Sequence, residues 1–506
     1  MVRGEGGFLE YDYRYLYYLR FMLAQYKKIY LLAAILFAVT AYFSAGFFQF
    51  DEHTQVMEFA GWKLGLTQEK DLSWEFAAQM RPAIQPFMLY VAHKVFGLVA
   101  MDSPFAMAFV LRLFSAALSF LSIHLLIKAF IDKIQGEKLK MTFVLLSFFL
   151  WFAVFNSVRF SSENIAGRLF VIAFALFVIW KDLNRKQYFI LGLILGLSFL
   201  FRYQNAFLFV GFVPWLFFIN KSKIGDIVLL ASGILLLFGV GIVIDKWFYG
   251  EWVLSTWNYF DENILKEKMD GFGLSPWYYY FVQIFNKGIP PFSLLFIVPF
   301  LLLLIYRWKN PLVWIILPFL LIHFYIGHKE LRFLFPVLGF LPLLAVEAGE
   351  IINEKWQGIL QKKWFKVFVL LFWVQNGIFL CFVAFKAADS QVTLYEKVYD
   401  NYSQPTVMYY ISNNPYSRAR DVFYYKRENL RVQKIASFDE LRLPKDTIVL
   451  FATDNKEEEA LVKQNNEIVY NSLPEWLKSF NAFHWVDRTH FWRVYEIKNL
   501  PSPDKK

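Results

Sequence analysis

One cysteine, Cys381, occurs in 506 residues, and it sits inside an apolar run. A disulfide framework or a thiolate metal cluster is therefore excluded. There is no Gly-rich phosphate loop and no dinucleotide fingerprint, which argues against a nucleotide-sugar donor held by an α/β fold. Seven histidines are present, and His53, His323 and His328 fall near one face, but no His-x-x-x-His spacing prepares a metal site. No metal and no cofactor is expected. Charge is scarce as well: Asp, Glu, Lys and Arg make up 19% of the chain against 57% hydrophobic residues, with mean hydropathy +0.38. That balance is too apolar for a soluble protein. Internal repeats and low-complexity tracts are absent.

Phe (59), Tyr (28) and Trp (17) are abundant, as expected where aromatic belts line both faces of a bilayer. The formal charge of +10 needs no nucleic acid to explain it. Lys and Arg gather in short loops that the positive-inside rule places in the cytoplasm. The partner implied is the lipid bilayer. The first apolar run is long and follows Arg14, Arg20, Lys27 and Lys28, so it reads as a signal anchor with the N-terminus inside.

Runs long enough to cross the hydrocarbon fall at 29–49, 105–127, 141–157, 168–181, 188–200, 204–220, 225–246, 288–306, 311–327, 332–348 and 366–386. They predict about eleven transmembrane helices, N-in and C-out. The run 83–100 carries His93 and Lys94 at its centre and is expected to lie in the interface. This choice keeps Lys128, Lys133, Lys138 and Lys140 in the cytoplasm. From 387 the composition shifts to short β-branched and aromatic tracts at 406–410, 422–425, 447–451 and 491–495. Helical patterns at 456–465 and 474–481 alternate with them. The expected organisation is a transmembrane catalytic domain at 1–386, with interface helices in the first external loop (51–104), followed by an extracytoplasmic α/β domain at 387–506.

Alternation of the spans sends most polar motifs to the external side. They are Asp51-Glu52, Trp74-Glu75, Arg81, Arg159, Glu163-Asn164, Arg202-Gln204, Asp245, Asn258 and His328-Lys329-Glu330-Leu331-Arg332. A transporter should instead hold polar groups near the bilayer midplane in broken, repeated helices. Collection at one rim suits an enzyme working at the membrane surface. Acids that close to hydrocarbon are costly, which marks Asp51 and Glu52. A carboxylate can take a proton from an attacking hydroxyl, and Arg202, Lys329 and Arg332 could hold a phosphate leaving group. Each motif alone has a plainer reading. His328–Arg332 could be a charged helix cap, Arg81-Pro82 the start of the interface helix, and Asp245 a helix end.

Taken in order, the motifs resemble a known family. Phe50-Asp51-Glu52-His53-Thr54-Gln55, Ser73-Trp74-Glu75 and Arg81-Pro82 resemble the start of the family 22 glycosyltransferases. These are the GT-C mannosyltransferases of the ER that build lipid-linked N-glycan precursors and the GPI anchor. Arg159 with Glu163-Asn164, the block Asp245–Trp252 with Asn258, Gly273–Tyr280, and His328-Lys329-Glu330-Leu331-Arg332-Phe333 match further family blocks. The resemblance implies a GT-C fold and an inverting, metal-independent transfer of mannose. The donor implied is a polyprenyl-phosphate mannose, dolichyl in eukaryotes, and the acceptor a glycan or glycolipid. Asp51 would be the general base and Glu52 its orienting neighbour. His328, Lys329 and Arg332 would lie near the donor phosphate, and Glu75, Arg81, Arg202, Gln204 and Asp245 would complete substrate binding. The family's His-Pro before Asp-Glu is replaced here by Gln49-Phe50, which touches acceptor identity.

The Phe-, Lys-, Ile- and Asn-rich composition suggests a bacterial inner membrane with a periplasmic active face. Asn401-Tyr402-Ser403 is a glycosylation sequon, which keeps the ER membrane open. The competing readings are a transferase of another lipid-linked sugar, a transporter or scramblase, and a structural protein whose external domain binds a partner.

Overall fold

The computed structural model describes residues 26–498 apart from 418–419, 464–465, 474–478, 480, 482–483, 485 and 487–490. Most of the expected helix at 474–481, together with Arg14 and Arg20, lies outside the described residues. The chain divides into two compact units, each assembled from separated stretches. The first holds 1–43, 112–238 and 268–386; the second holds 44–111, 239–267 and 387–506.

The first unit is helical, and its centre is Ser162–Ile179, which is buried along nearly its whole length. Ser161 starts this helix by accepting a hydrogen bond from the Asn164 amide, the usual remedy for an orphan first-turn N–H. Phe170 and Phe174 meet Phe212 and Phe340 edge to face. Gly167 brings a neighbour in close: a Cβ there would stand 2.6 Å from Pro336 Cα. The segment Leu331–Phe340 thereby lies against the first turns of the central helix. A second accommodation occurs where Glu137–Phe149 and Trp151–Ser157 bend by 49°. Asn376 receives the Trp151 amide at 3.1 Å and donates to the Phe149 carbonyl at 2.7 Å. A helix broken inside an apolar layer must have its freed backbone groups satisfied in this way.

Six helices among the described residues are long and apolar enough to cross a membrane, and up to eight if each bent pair counts as one. The expected number is higher because several apolar runs form helices of only 13 to 17 residues: Arg185–Phe201, Ala206–Phe218, Leu294–Tyr306 and Pro311–Tyr325. At 1.5 Å per residue, 13 residues cover about 20 Å of a hydrocarbon layer about 30 Å thick. The protein is an integral membrane protein. Ile84–Gly97, with 14 residues, also falls short of a span.

In the second unit the chain enters through Gly46 and runs into a helix over 50–64 that is α-helical, then π-helical at His53–Glu58, then α-helical again. Gly65, with φ of +80°, ends it in the left-handed conformation, the common solution at a helix C-terminus. Phe59, Leu72, Phe76, Ala83 and Phe248 make a local core.

The same unit contains a five-stranded sheet. Its strands are β1 (Thr406–Tyr410), β2 (Leu430–Lys434), β3 (Ile448–Thr453), β4 (Glu467–Asn471) and β5 (Arg493–Glu496), ordered β2-β1-β3-β5-β4. β1 runs parallel to β2 and β3, while β5 is antiparallel to β3 and β4. Three of the four expected tracts are strands. The fourth, 422–425, is a turn, because its amides are used elsewhere, as described below.

Candidate functional site

The predicted site residues divide between the two units. Asp51, Glu52, Glu75, Arg81 and Asp245 belong to the second; Arg202, Gln204, His328, Lys329 and Arg332 belong to the first.

In the second unit Asp51 and Glu52 occupy the first turn of the 50–64 helix, after Gln49 in extended conformation. Carboxylates are favoured at that end by the helix dipole, and both are half-buried. Glu75 accepts hydrogen bonds from Gln55 Nε2 and Arg81 Nη2, each at 3.2 Å. The Arg81 guanidinium lies 5.5 Å from the Tyr259 ring centroid. Burial pulls the pKa of Arg81 down, but the charges of Glu75, Tyr259 and Asp51 outweigh it and hold the group above its ordinary value. Asp51 and Arg81 thus share one local field.

Asp245, expected to help complete substrate binding, has both carboxylate oxygens bonded within the fold. One carboxylate oxygen accepts the Ala83 amide at 2.8 Å and the other accepts the Ser255 hydroxyl. Tyr249 donates to the Arg81 carbonyl at 2.8 Å, and Asn258 donates to the Gln79 carbonyl at 3.3 Å. The Asp245–Asn258 block therefore fastens the backbone around Arg81.

In the first unit Arg202 stands at the break between the helix Arg185–Phe201 and the short turn Tyr203–Asn205. Its extended backbone ends the helix and carries the guanidinium to Glu163, 2.8 Å away, and to the Ser162 hydroxyl at 3.0 Å. Gln204 follows, half-buried. Arg332 binds Glu330 through two N–H groups at 2.7 and 2.8 Å, the bidentate fork that only Arg supplies. It also comes within 3.8 Å of Glu163. His328 Nε2 lies 3.3 Å from Glu330, and its Nδ1 lies 3.1 Å from the Gly273 carbonyl. Arg202 and Arg332 both flank the Phe333 ring, at 5.3 and 5.6 Å. Five charged or ionisable groups, Glu163, Arg202, His328, Glu330 and Arg332, thus form one network. Lys329 donates instead to the carbonyls of Ser275, Ile326 and Gly327, which closes the loop that presents them.

Glu163 and Glu330 were visible as parts of motifs, yet the fold was needed to show Glu163 facing both guanidiniums and Glu330 gripping Arg332. Glu58 gave no signal at all. It is a buried acid three residues beyond the polar run Asp51–Gln55, on a helix that spacing alone would read as regular. A cavity of about 520 Å³ in the first unit, lined by Lys133, Arg307, Lys309, Asn310, Glu347 and Glu350 among others, shares no residue with the network. It lies among the basic loops expected in the cytoplasm. Among the described residues no group of three or more His, Cys, Asp or Glu is placed to hold a metal ion.

Comparison with known proteins adds the following. The model of the Alg9-like mannosyltransferase family matches residues 28–418. The mannosyltransferase APTG1 of Arabidopsis thaliana is 27% identical over 64% of the chain and 58% of its own length. GPI alpha-1,2-mannosyltransferase 3 of Bos taurus is 25% identical over 56% of the chain and 51% of its own length. The human protein of that name is 27% identical over 53% and 48%. The chain spans about half the length of the curated relatives it matches. Among solved structures, ArnT from Cupriavidus metallidurans bound to undecaprenyl phosphate superposes with a TM-score of 0.52 at 12% identity, covering 95% of this chain and 99% of that one. The fold is therefore GT-C.

Proposed function

This chain belongs to the Alg9-like mannosyltransferase family, and on that premise we propose that it transfers mannose from a polyprenyl-phosphate mannose to a glycan or glycolipid acceptor. The transfer takes place on the extracytoplasmic face of the membrane, periplasmic in a bacterial cell and luminal in an ER setting. The observation that carries the reading is the network of Arg202 and Arg332 around Glu163 and Glu330. Buried Glu163 holds Arg202, and half-buried Glu330 holds Arg332 in a two-bond fork, so little has to reorganise when a phosphate arrives. With Lys329 nearby in sequence and hydrogen-bonded to backbone carbonyls, cations outnumber acids in this stretch.

The roles follow from the chemistry. Asp51 takes the proton of the attacking acceptor hydroxyl, and Glu52 orients the acceptor or the base. The hydroxyl oxygen bonds to C1 of the mannose from the face opposite the lipid phosphate. The C1–O bond breaks with its electron pair going to the phosphate, which Arg202, Arg332 and His328 stabilise. One displacement inverts the anomeric centre. Arg81, held by Glu75 and seated by the Asp245 block, sets its positive charge against the negative charge of Asp51. Gln204 completes the substrate contacts.

The test is transfer of labelled mannose from polyprenyl-phosphate mannose by the purified protein in lipid, comparing wild type with Asp51→Asn. The substitution keeps size and removes charge, so the rate should fall by about two to four orders of magnitude. Equal rates would remove Asp51 from the role of base. Absence of transfer in the wild type with every acceptor extract, alongside transfer from another lipid-linked sugar, would replace the donor.

A further inference from the structure

We propose that Glu58 is a positioning residue that fastens the 387–506 portion of the chain to the helix carrying Asp51 and Glu52, so that this portion sets the geometry of the acidic pair. The proposal rests on the reading of Asp51 as the base.

Glu58 is 3% exposed and is held by four donors. Its Oε1 lies 2.6 Å from His53 Nε2 and accepts the backbone amides of Phe423 at 2.8 Å and Tyr424 at 3.1 Å. Its Oε2 accepts the Thr67 hydroxyl at 2.5 Å. Two donors come from the first external loop and two from a stretch more than three hundred residues later. Consecutive amides aimed at one carboxylate form an anion-binding concavity. They also account for the turn at 422–425, whose amides serve the carboxylate and not a sheet ladder.

The helix is built for this contact. Residues five apart on an α-helix are turned about 140° from one another, which would separate His53 from Glu58. The segment His53–Glu58 is π-helical, and the wider turn brings both side chains to one side. Such insertions cost stability and concentrate at functional sites. The backbone continues unbroken from Phe50 through Glu52 into this turn, so the acids and the fastening share one rigid piece.

The surroundings leave no slack. The His53 ring is fully buried, stacked at 5.1 Å on Phe47 and at 5.4 Å on Tyr425. Tyr425 in turn stacks on Phe105 at 4.9 Å. A Cβ at Gly61 would stand 2.7 Å from Thr67 Oγ1 and 3.3 Å from the Tyr424 ring. At the other end of the loop a Cβ at Gly46 would collide with Asp389, whose amide donates to the Ala45 carbonyl at 3.1 Å. Arg420 adds a bond to the Leu72 carbonyl at 2.8 Å. Burial pushes the Glu58 carboxyl up, but the His53 charge and the hydrogen bonds from His53, Thr67 and the Tyr424 amide prevail and hold it below its ordinary value. The group is therefore an anion at neutral pH, as its donor set requires.

The experiment uses full-length protein in lipid, with Glu58→Gln and the milder Thr67→Val. Two readouts are taken: mannosyl transfer, and backbone amide exchange over 50–58 and 420–425. A base displaced by a fraction of an ångström should lose kcat by roughly 10- to 100-fold, with the donor KM changed by no more than about twofold because donor binding is untouched. Exchange should rise in both segments together while Ser162–Ile179 keeps its protection. Thr67→Val should give the same pattern at smaller amplitude, and it decides the matter if Glu58→Gln does not fold. A folded Glu58→Gln protein with wild-type kcat, or with unchanged exchange at 50–58, overturns the proposal. Exchange does not depend on any sugar, so a wild type that transfers no mannose defeats the donor reading while the exchange result still judges the fastening.

Discussion

At the scale of single residues, the carboxylates of this protein differ by what surrounds them. Asp245 has both oxygens bonded within the fold, Glu58 has four donors, and Asp51 stands half-buried in the field of Arg81. Glu58 yields a prediction in pH. Burial alone would raise its pKa, but the facing His53 charge and the hydrogen bonds bring it below the ordinary value of 4.5. A carboxyl that titrates lower when folded adds stability that is complete above its unfolded pKa and is lost as pH falls through the folded one. Glu58→Gln should therefore melt below wild type at pH 7, and the gap should narrow once the pH drops below about 4.5. Thermal melts of both proteins across that range check it, and a gap constant down to pH 3 would contradict it. Gly61→Ala is the steric counterpart. Its Cβ must displace Thr67 or Tyr424, a strain of about 1–3 kcal/mol, visible as a lowered midpoint in chemical unfolding of the lipid-embedded protein.

At the scale of elements, long apolar runs were legible because hydrocarbon demands them, and so were the paired tracts of the sheet core. The edge strands β2 and β4 escaped: their burial is partial and their residues, such as Arg431, Gln433, Lys434 and Glu467, are polar. The tract 422–425 has the composition of a strand but is a turn, since a carboxylate 365 residues earlier competes for its Phe423 amide. Local propensity carries no information about such a partner. The π turn at His53–Glu58 is hidden for the same reason, because its stabilising contacts lie outside its own sequence. The His328–Arg332 segment, by contrast, announced its charged cluster, although Lys329 proved to be bound to carbonyls. Arg332→Lys tests the element: a single ammonium cannot reproduce two parallel bonds to Glu330, and kcat/KM for the donor should fall by roughly 10- to 100-fold. Steady-state kinetics against the donor gives the answer, and a variant with unchanged kcat/KM would remove Arg332 from phosphate binding.

At the scale of the molecule, the composition break at 387 was plain in the sequence, but which earlier stretches belong with the last part of the chain was not. The unit containing 387–506 also contains 44–111 and 239–267, three pieces joined by hydrogen bonds and stacked rings that no local pattern announces. Removing residues 387–506 should therefore leave Glu58 with two of its four donors and strip the Tyr425 ring from His53 and Phe105. Leaving a buried acceptor short of its hydrogen-bond donors costs about 1–3 kcal/mol, so the 1–386 protein should be proteolysed within the 44–111 stretch under conditions where the full chain is intact. Equal protease resistance of the two forms would show that the stretches are independent.

The separation of Glu58 from Phe423 by 365 residues also sets a clock. At ribosomal speeds of about 5–20 residues per second, roughly 20–70 s pass between synthesis of the carboxylate and synthesis of the amides that hold it. During that interval the helix bearing Asp51 has left the ribosome without its final restraint. The helix gains that restraint only once Phe423 and Tyr424 have been delivered.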